Sequence, residues 1–576
     1  MKNLSFLFSY LKPYRKQMVL TLFAAAIGSS GLVAATYLIG KAIDLVPEVS
    51  SVQFAPLFLI LGLLGGIYLL SSLFQWVIAR LANKISYSVA CDLRKEAFEK
   101  LQKLPVLFFD AHPHGDLLSR FTNDIDAVSD ALSVTIINLF SGLILILVSI
   151  AVMFSLNVPL ALTVLLVTPI CVLFATVITR LCQKSFRRQQ TMVGSTSSFA
   201  AEHIENQKLI KLFGQEQRTI DEFSKMTDKL EKTATRAIFF SAVINPGTRF
   251  VNNTCYILVG LVGALSAIHF GLSVGTISSF LIYSGQFAKP FNEISGITVQ
   301  IQTAFAALER ISSLINAAEE TDDPKEPISL QPQQVKGHVV FSNVSFSYTK
   351  GRPILKDISL EAHPGEMIAI VGATGCGKTT LINLLLRFYE IDKGNILIDD
   401  IPIQQLKRND LRNAFALVLQ DTWLFHGTIA QNIAFVNENA SQEQIVAAAK
   451  QAYAHSFITR LPHGYDTVYQ PNMLSQGEQQ LLTIARAILS ESKMMILDEA
   501  TSSIDSLTEQ RIQQALQHLT ANKTSFIIAH RLSTIQAADR ILVLERGKVV
   551  EEGTHTQLLQ LNGIYAEMYR KNQTNQ

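Results

Sequence analysis

The chain has 576 residues, 48% of them hydrophobic and only 17% charged, with 49 Lys and Arg against 47 Asp and Glu. That length exceeds one domain, and the apolar share excludes a disordered chain. Residues 1–320 hold 26 Lys and Arg against 21 Asp and Glu, and residues 321–576 hold 23 against 26, so neither half carries the basic stripe that nucleic-acid binding needs. The mean hydropathy of +0.26 points to a membrane protein, because long apolar runs crowd the first half. The cysteines, Cys91, Cys171, Cys182, Cys255 and Cys376, lie too far apart for the short spacing of a zinc or redox site; the three in or next to apolar segments read as small buried hydrophobes, and Cys376 lies in a glycine-rich loop.

Lys2, Lys12, Arg15 and Lys16 precede the first apolar run, and Leu4–Tyr14 mixes aromatic and basic residues like a helix lying at a membrane interface. Met18–Gly40 then runs 23 residues, longer than a signal-peptide core and long enough to span. Further spans are expected at Phe54–Ile78, Val134–Phe154, Val158–Ile178, Ile238–Ile268 and Val274–Ile297. The last rests partly on topology, since it holds Gln286, Lys289, Asn292 and Glu293. Residues 80–133 carry seven Lys and Arg and residues 180–237 carry eleven, whereas 41–53, 155–157 and 269–273 share one, Lys41. The basic excess belongs on the cytoplasmic side, which places both chain ends inside. The two basic loops are Leu-, Lys-, Glu- and Gln-rich at helical spacing, so each reads as a helix running out and another back. Legs of about 25 residues would reach roughly 37 Å into the cytoplasm. Ionisable groups within spans are costly. Arg249 with Asn245, Asn252 and Asn253, and Gln286 with Lys289 and Glu293, therefore read either as the lining of a polar cavity or as snorkelling and packing groups near the inner interface.

Residues 317–337, with four acids in the first seven positions and then Pro324, Pro327 and Pro332, read as a connector between a membrane domain at 1–316 and a soluble domain at 338–576. Beyond it, short apolar strands alternate with helices, the pattern of an α/β domain with a largely parallel sheet. There Met367–Val371 runs into Gly372-Ala-Thr-Gly-Cys-Gly-Lys-Thr379 and an apparent helix, a G-x-x-x-x-G-K-[ST] phosphate loop in its strand–loop–helix setting. Its amides and helix N-terminus favour phosphate oxygens. Lys378 supplies charge for the β- and γ-phosphates and Thr379 a hydroxyl for Mg²⁺. A second apolar strand ends in Asp498-Glu499, suited to hold Mg²⁺ through water (Asp498) and to polarise an attacking water as general base (Glu499).

Together these residues resemble the ATP-binding cassette (ABC) transporters, in the half-transporter form with type I exporter architecture. Leu474-Ser-Gln-Gly-Glu478 is similar to the family signature LSGGQ, Gln420 to the Q-loop, Ser502-Ser-Ile-Asp505 to the D-loop, His530 to the switch histidine and Tyr348 to the adenine-stacking aromatic. Phe108-Phe-Asp110 with Gly115–Asp124, and Lys211–Glu216, resemble the two coupling-helix regions. The resemblance implies a helical membrane domain, six long transmembrane helices extending into the cytoplasm, fused to an α/β P-loop ABC nucleotide-binding domain. It implies ATP held by Tyr348, Gly372, Thr374, Gly375, Cys376, Gly377, Lys378, Thr379 and Thr380. Catalysis would fall to Glu499, His530, Lys378 and Gln420, with Mg²⁺ at Thr379, Gln420 and Asp498. Ser475, Gln476, Gly477, Glu478 and Asp505 would meet the ATP of a second half-transporter, identical or homologous.

Two departures stand out: Gln476 and Glu478 replace Gly and Gln of the signature, and Thr467–Met473 lacks the Gly-Glu-Arg-Gly pattern expected before it. The expected activity is ATP-driven export of lipophilic or amphipathic compounds from a bacterial inner membrane by an alternating-access dimer. A lipid flippase, a peptide exporter and a metal-chelate importer share the fold, and a non-transporting regulatory ABC protein is the remote alternative. With no protease domain before Met18, leader-peptide processing is not expected.

Overall fold

The computed structural model describes residues 2–46, 54–331, 334–349, 351–419, 422–498, 506–529 and 532–574. It divides into two compact units, one of residues 1–104 and 112–318, the other of residues 105–111 and 319–576.

The first unit is helical: α1 (Lys2–Leu11), α2 (Arg15–Asp44), α3 (Phe54–Gln102), then, after the segment that joins the second unit, α5 (His114–Ser119), α6 (Ile125–Leu156), α7 (Val158–Glu205), α8 (Gln207–Leu212), α9 (Glu216–Phe270) and α10 (Val274–Ile315); α4 (Val106–Ala111) is that intervening segment. Among the described residues six of these helices have 30 residues or more, α9 reaching 55, about 80 Å at 1.5 Å per residue. The basic loops are thus continuations of α3, α6, α7 and α9, with turnarounds near residues 103–124 and 206–215. Local chemistry sets the breaks: the Asn157 side chain accepts from Leu160 N–H to start α7, Ser273 caps α10, and Gly271, left-handed at φ +68°, stops α9. Four stretches among the described residues are long and apolar enough to cross a membrane, Ser5–Asp44, Phe54–Gln102, His114–Leu156 and Asn253–Phe270, with a shorter apolar run at Val158–Pro169. Within the fifth expected span the qualifying stretch among the described residues is Asn253–Phe270, and none is found among those of α10.

Packing between these helices uses small residues. Gly40 of α2 meets Gly275 of α10 so closely that a Cβ on Gly275 would lie 1.9 Å from the Gly40 carbonyl oxygen, the close approach typical of membrane helix pairs. Asp44 fastens the same crossing, accepting from Gly275 N–H at 2.7 Å and the Ser273 hydroxyl at 2.8 Å. Where the helices extend beyond the apolar stretches, Arg310 of α10 binds the buried Asp124 with both arms of its guanidinium, at 2.8 and 2.5 Å.

The second unit carries two sheets. An antiparallel one has the order β2 (Leu355–Ala362), β1 (Val339–Phe346), β4 (Lys393–Ile398), β5 (Ile401–Pro402). The other has the order β10 (Lys548–Gly553), β9 (Arg540–Glu545), β3 (Met367–Val371), β8 (Thr524–Ile528), β7 (Met494–Asp498), β6 (Phe415–Val418), parallel except for the β9–β10 hairpin. Its central strands are apolar throughout because both faces are covered. Ile368 and Ile370 of β3 enter one core with Phe526 and Met494, whereas Ala369 and Val371 enter the opposite one with Ile527 and Met495. Part of the stretch read as a connector is built into this unit: Leu330 and Val335 are buried in its core, Ile328 bridges Leu406, and Glu320 binds Arg412 at 2.6 Å.

Candidate functional site

Strands β3, β8, β7 and β6 are parallel, so their carboxyl ends open on one edge of the sheet, where loops of such folds take ligands. The phosphate-loop sequence leaves β3 here and enters α11 (Lys378–Leu385). Its backbone needs glycine at two places. Gly377 sits at φ +109° with Leu355 Cδ2 2.6 Å from any Cβ. Gly372, at φ +153°, would place a Cβ 2.3 Å from the Leu544 carbonyl oxygen. The loop wraps Lys378, which is buried and donates to the carbonyls of Gly372 at 2.8 Å and Ala373 at 3.2 Å. Thr374, Gly375 and Thr379 are exposed, Cys376 and Thr380 buried. Cys376 Sγ lies within 2.7 Å of the space a Cβ on Gly372 would occupy, so the thiol fills the loop interior.

Asp498 closes β7. It and Ile370 of β3 both lie opposite Ile528 of β8, which sets the Asp498 backbone roughly 10 Å from β3, two strand spacings. The edge thus offers a hydroxyl (Thr379) and a carboxylate (Asp498), a hard oxygen set that fits Mg²⁺. Gln420, Glu499, Asp505 and His530 lie outside the described residues; in sequence Gln420 and His530 each follow a strand of this edge by two positions and Glu499 follows β7 directly.

Tyr348 is half-exposed, its hydroxyl 3.1 Å from Thr380 Oγ1 at the start of α11. Its ring stands edge-on to Phe346 at 4.9 Å and to Tyr389 at 5.0 Å. Tyr389 is a residue the sequence reading missed, and its only signal there is an aromatic just past α11. Its hydroxyl donates to Asp110 of α4, and burial together with that carboxylate pushes the phenol well above its ordinary pKa. Asp110, Tyr389, Tyr348 and Thr380 therefore form a continuous contact from α4 to the phosphate loop.

The signature segment begins α12 (Gln476–Leu489). Leu474 is buried as an anchor, and Ser475 is the N-cap of a full capping box: its Oγ accepts from Glu478 N–H at 3.3 Å, and Glu478 Oε2 accepts from Ser475 N–H at 2.9 Å. The same carboxylate accepts the Ser475 hydroxyl at 2.9 Å. Gln476 is exposed and Gly477 buried. The atypical segment before it is held by backbone bonds from Ile429 N–H to Thr467 and Tyr469 N–H to Gly427. Nearby lies a groove of about 620 Å³ lined by Leu419, Trp423, Phe435, Val436, Arg412 and Arg486. Trp423 and Phe435 are exposed, and the Arg486 guanidinium lies over the Phe435 ring at 5.2 Å.

In the first unit, Gln286 donates to Thr36 Oγ1 at 2.9 Å, joining α10 to α2, while its Oε1 is buried with no partner among the described residues. Lys289 pairs with Glu293 one turn on at 3.7 Å, both partly exposed. Arg249 and Asn253 are exposed; the Asn245 and Asn252 side chains lie outside those described. The segment that resembles the second coupling region forms α8 and its turn, where Leu209, Leu212 and Phe213 are exposed.

Residues 18–291 match the family model of the ABC transporter transmembrane region and residues 355–502 that of the ABC transporter. A fatty acid ABC transporter ATP-binding/permease protein of Mycobacterium bovis is 40% identical over 521 residues, 90% of this chain and 82% of its own. An ATP-dependent lipid A-core flippase of Chromohalobacter salexigens is 34% identical over 571 residues, 98% and 97% of the two chains. A solved bacterial Atm1-family ABC exporter with ATP bound superposes with a TM-score of 0.78 at 27% identity over 98% of both chains. The chain belongs to the ABC transporters, as a bacterial half-transporter of the type I exporter class. It is a multi-pass membrane protein whose ATPase domain drives export.

Proposed function

We propose that this half-transporter exports an acyl-chain amphiphile, working as a dimer of 2 × 6 spans with both chain ends in the cytoplasm of a bacterial inner membrane. The observation that carries the cargo class is the pair of relatives spanning most of the chain, one named for fatty acid and one for lipid A-core. Residues 1–316 form the membrane domain, 317–337 the connector and 338–576 the nucleotide-binding domain.

In this reading ATP stacks on Tyr348 and lays its phosphates on the amides of residues 372–380, where Lys378 exchanges its two loop carbonyls for phosphate oxygens. Thr379, Asp498 and Gln420 hold Mg²⁺, which neutralises phosphate charge. Glu499 takes the proton of the attacking water and His530 contacts the γ-phosphate. Ser475, Gln476, Gly477 and Glu478, with Asp505, face the ATP of the partner, where the N-terminal end of α12 presents its positive dipole end to phosphate. ATP binds the closed dimer better than the open one and so shifts the equilibrium toward it. The apolar ridge Leu209, Leu212 and Phe213 of one copy enters the Trp423–Phe435 groove of the other, transmitting closure to α7 and α9. Gln286, Lys289, Glu293, Arg249, Asn253, Asn245 and Asn252 line the cytoplasmic part of the pathway and meet the amphiphile's polar head.

The test uses the chain expressed alone in inside-out vesicles and nanodiscs. ATP-dependent uptake of a labelled fatty acid into the vesicles, competed by other acyl amphiphiles and not by peptides, is expected; peptide-only uptake overturns the cargo class. Glu499→Gln is expected to keep ATP binding and lower turnover by about 100-fold or more. Turnover that this substitution leaves unchanged removes Glu499 as the base. A folded but silent wild-type chain assigns the second half-site to a non-identical partner.

A further inference from the structure

The antiparallel sheet ends, away from the phosphate loop, in a cluster that ATP turnover does not use. Val339 of β1 lies opposite Ala362 of β2 and Val340 opposite Glu361, so by register His338 stands opposite His363. With the two-residue period of a strand, His338, Glu361 and His363 share one face. The two imidazoles are nearly parallel, 6.0 Å apart with planes 5° off. His338 Nε2 is 2.8 Å from Glu361 Oε1, and His363 Nδ1 is 3.9 Å from the same oxygen. One donor atom from each of the three residues lies within 4.8 Å of the others, the single such group among the described residues.

Two features hold these donors in place. The Asp399 carboxylate accepts the backbone N–H of Lys336, Gly337 and His338 at 2.8, 3.0 and 2.9 Å, so His338 belongs to a fixed turn. Arg540, which donates to the Glu361 backbone carbonyl, is paired with Glu366 at 2.9 Å and Glu552 at 2.8 Å, and the Glu361 carboxylate faces the histidines. A surface ion pair would need only one imidazole; the second has no partner to gain from a parallel ring of its own kind. Donor atoms around a tetrahedral ion with bonds of about 2.0–2.1 Å stand about 3.4 Å apart. The observed 2.8 and 3.9 Å lie on either side of that, so small side-chain rotations would close the three onto one ion. Asp400 Oδ1 stands 3.9 Å from His338 Nδ1, from where a side-chain rotation would let it accept a hydrogen bond from that ring N–H as an outer partner.

We propose that His338, Glu361 and His363 bind a divalent transition-metal ion of the zinc class, with water filling the remaining position. Two imidazoles and one carboxylate select Zn²⁺, Co²⁺ or Ni²⁺ over the hard ions that an all-oxygen set prefers, so the site differs in chemistry from the Mg²⁺ edge. A bound ion joins the end of β2 to the residue that opens β1 and stabilises the folded nucleotide-binding domain by mass action.

The test is a Zn²⁺ titration of the full-length chain, free of any affinity tag, in nanodiscs against a chromophoric chelator, with Co²⁺ absorption as a second readout. One ion per chain is expected, with a visible Co²⁺ band of low-coordinate geometry. His338→Ala, His363→Ala and Glu361→Gln are each expected to weaken binding by at least about 10-fold while ATP turnover shows them folded, and His463→Ala is expected to change nothing. Absence of stoichiometric binding, or binding that survives both histidine substitutions, overturns the site. Transport and turnover of the wild type do not depend on this result, so its failure leaves the export reading standing.

Discussion

Ser475 shows how a single departure from a family motif keeps its structural half. The capping box works with either Glu or Gln at the third position, so Glu478 serves the helix as the family's Gln would. What differs is charge: the carboxylate takes the Ser475 hydroxyl at 2.9 Å and would face a γ-phosphate as a like charge. Glu478→Gln is therefore expected to leave thermal unfolding unchanged and to lower the KM for ATP. Glu478→Ala is expected to cost about 1 kcal/mol of stability by removing the reciprocal half of the capping box. Comparing unfolding midpoints and ATP titrations of the two variants separates the roles, and an unchanged KM in Glu478→Gln removes the carboxylate from the phosphate's surroundings.

At the scale of elements, the phosphate loop is fixed by what surrounds it as much as by its own glycines. Gly372 passes under the Leu544 carbonyl of β9 with no room for a Cβ and in a conformation closed to other residues. Gly372→Ala is expected to destabilise the domain by about 1–3 kcal/mol and to abolish binding of a fluorescent ATP analogue. Retained analogue affinity would show that the loop tolerates a shift away from Leu544. The α2–α10 crossing obeys the same rule: Gly40 and Gly275 permit backbone contact, and Asp44 then finds donors in reach. Both pairs are far apart in sequence, so nothing local announces them.

Over the whole molecule, the proposed export cycle has ATP turnover in one half of the chain drive the other half through a partner. The exposed apolar ridge at α8 and the exposed aromatic groove beside Arg486 would each be a liability in an isolated chain. Phe213→Asp with Leu212→Asp is expected to leave ATP binding intact and to lose most of the transport per ATP hydrolysed, read by vesicle uptake and phosphate release on the same sample. Unchanged coupling in that double variant assigns the ridge to another role.

An apolar half followed by a phosphate loop and an Asp-Glu strand end is legible from residues alone, and the signature between them from the family resemblance. Each is a local pattern whose chemistry needs those residue types at that spacing. Helix periodicity likewise revealed that the basic loops continue the spans. Only tertiary structure decided the rest, because it depends on contacts between distant positions. It set Asp498 in register with Ile370 across Ile528, and it joined Tyr389 to Asp110 and Tyr348. It exposed Trp423 and Phe435, aromatics that composition assigns to a core. It brought His338, Glu361 and His363 onto one face, since strand register, which no single segment encodes, sets which side chains meet.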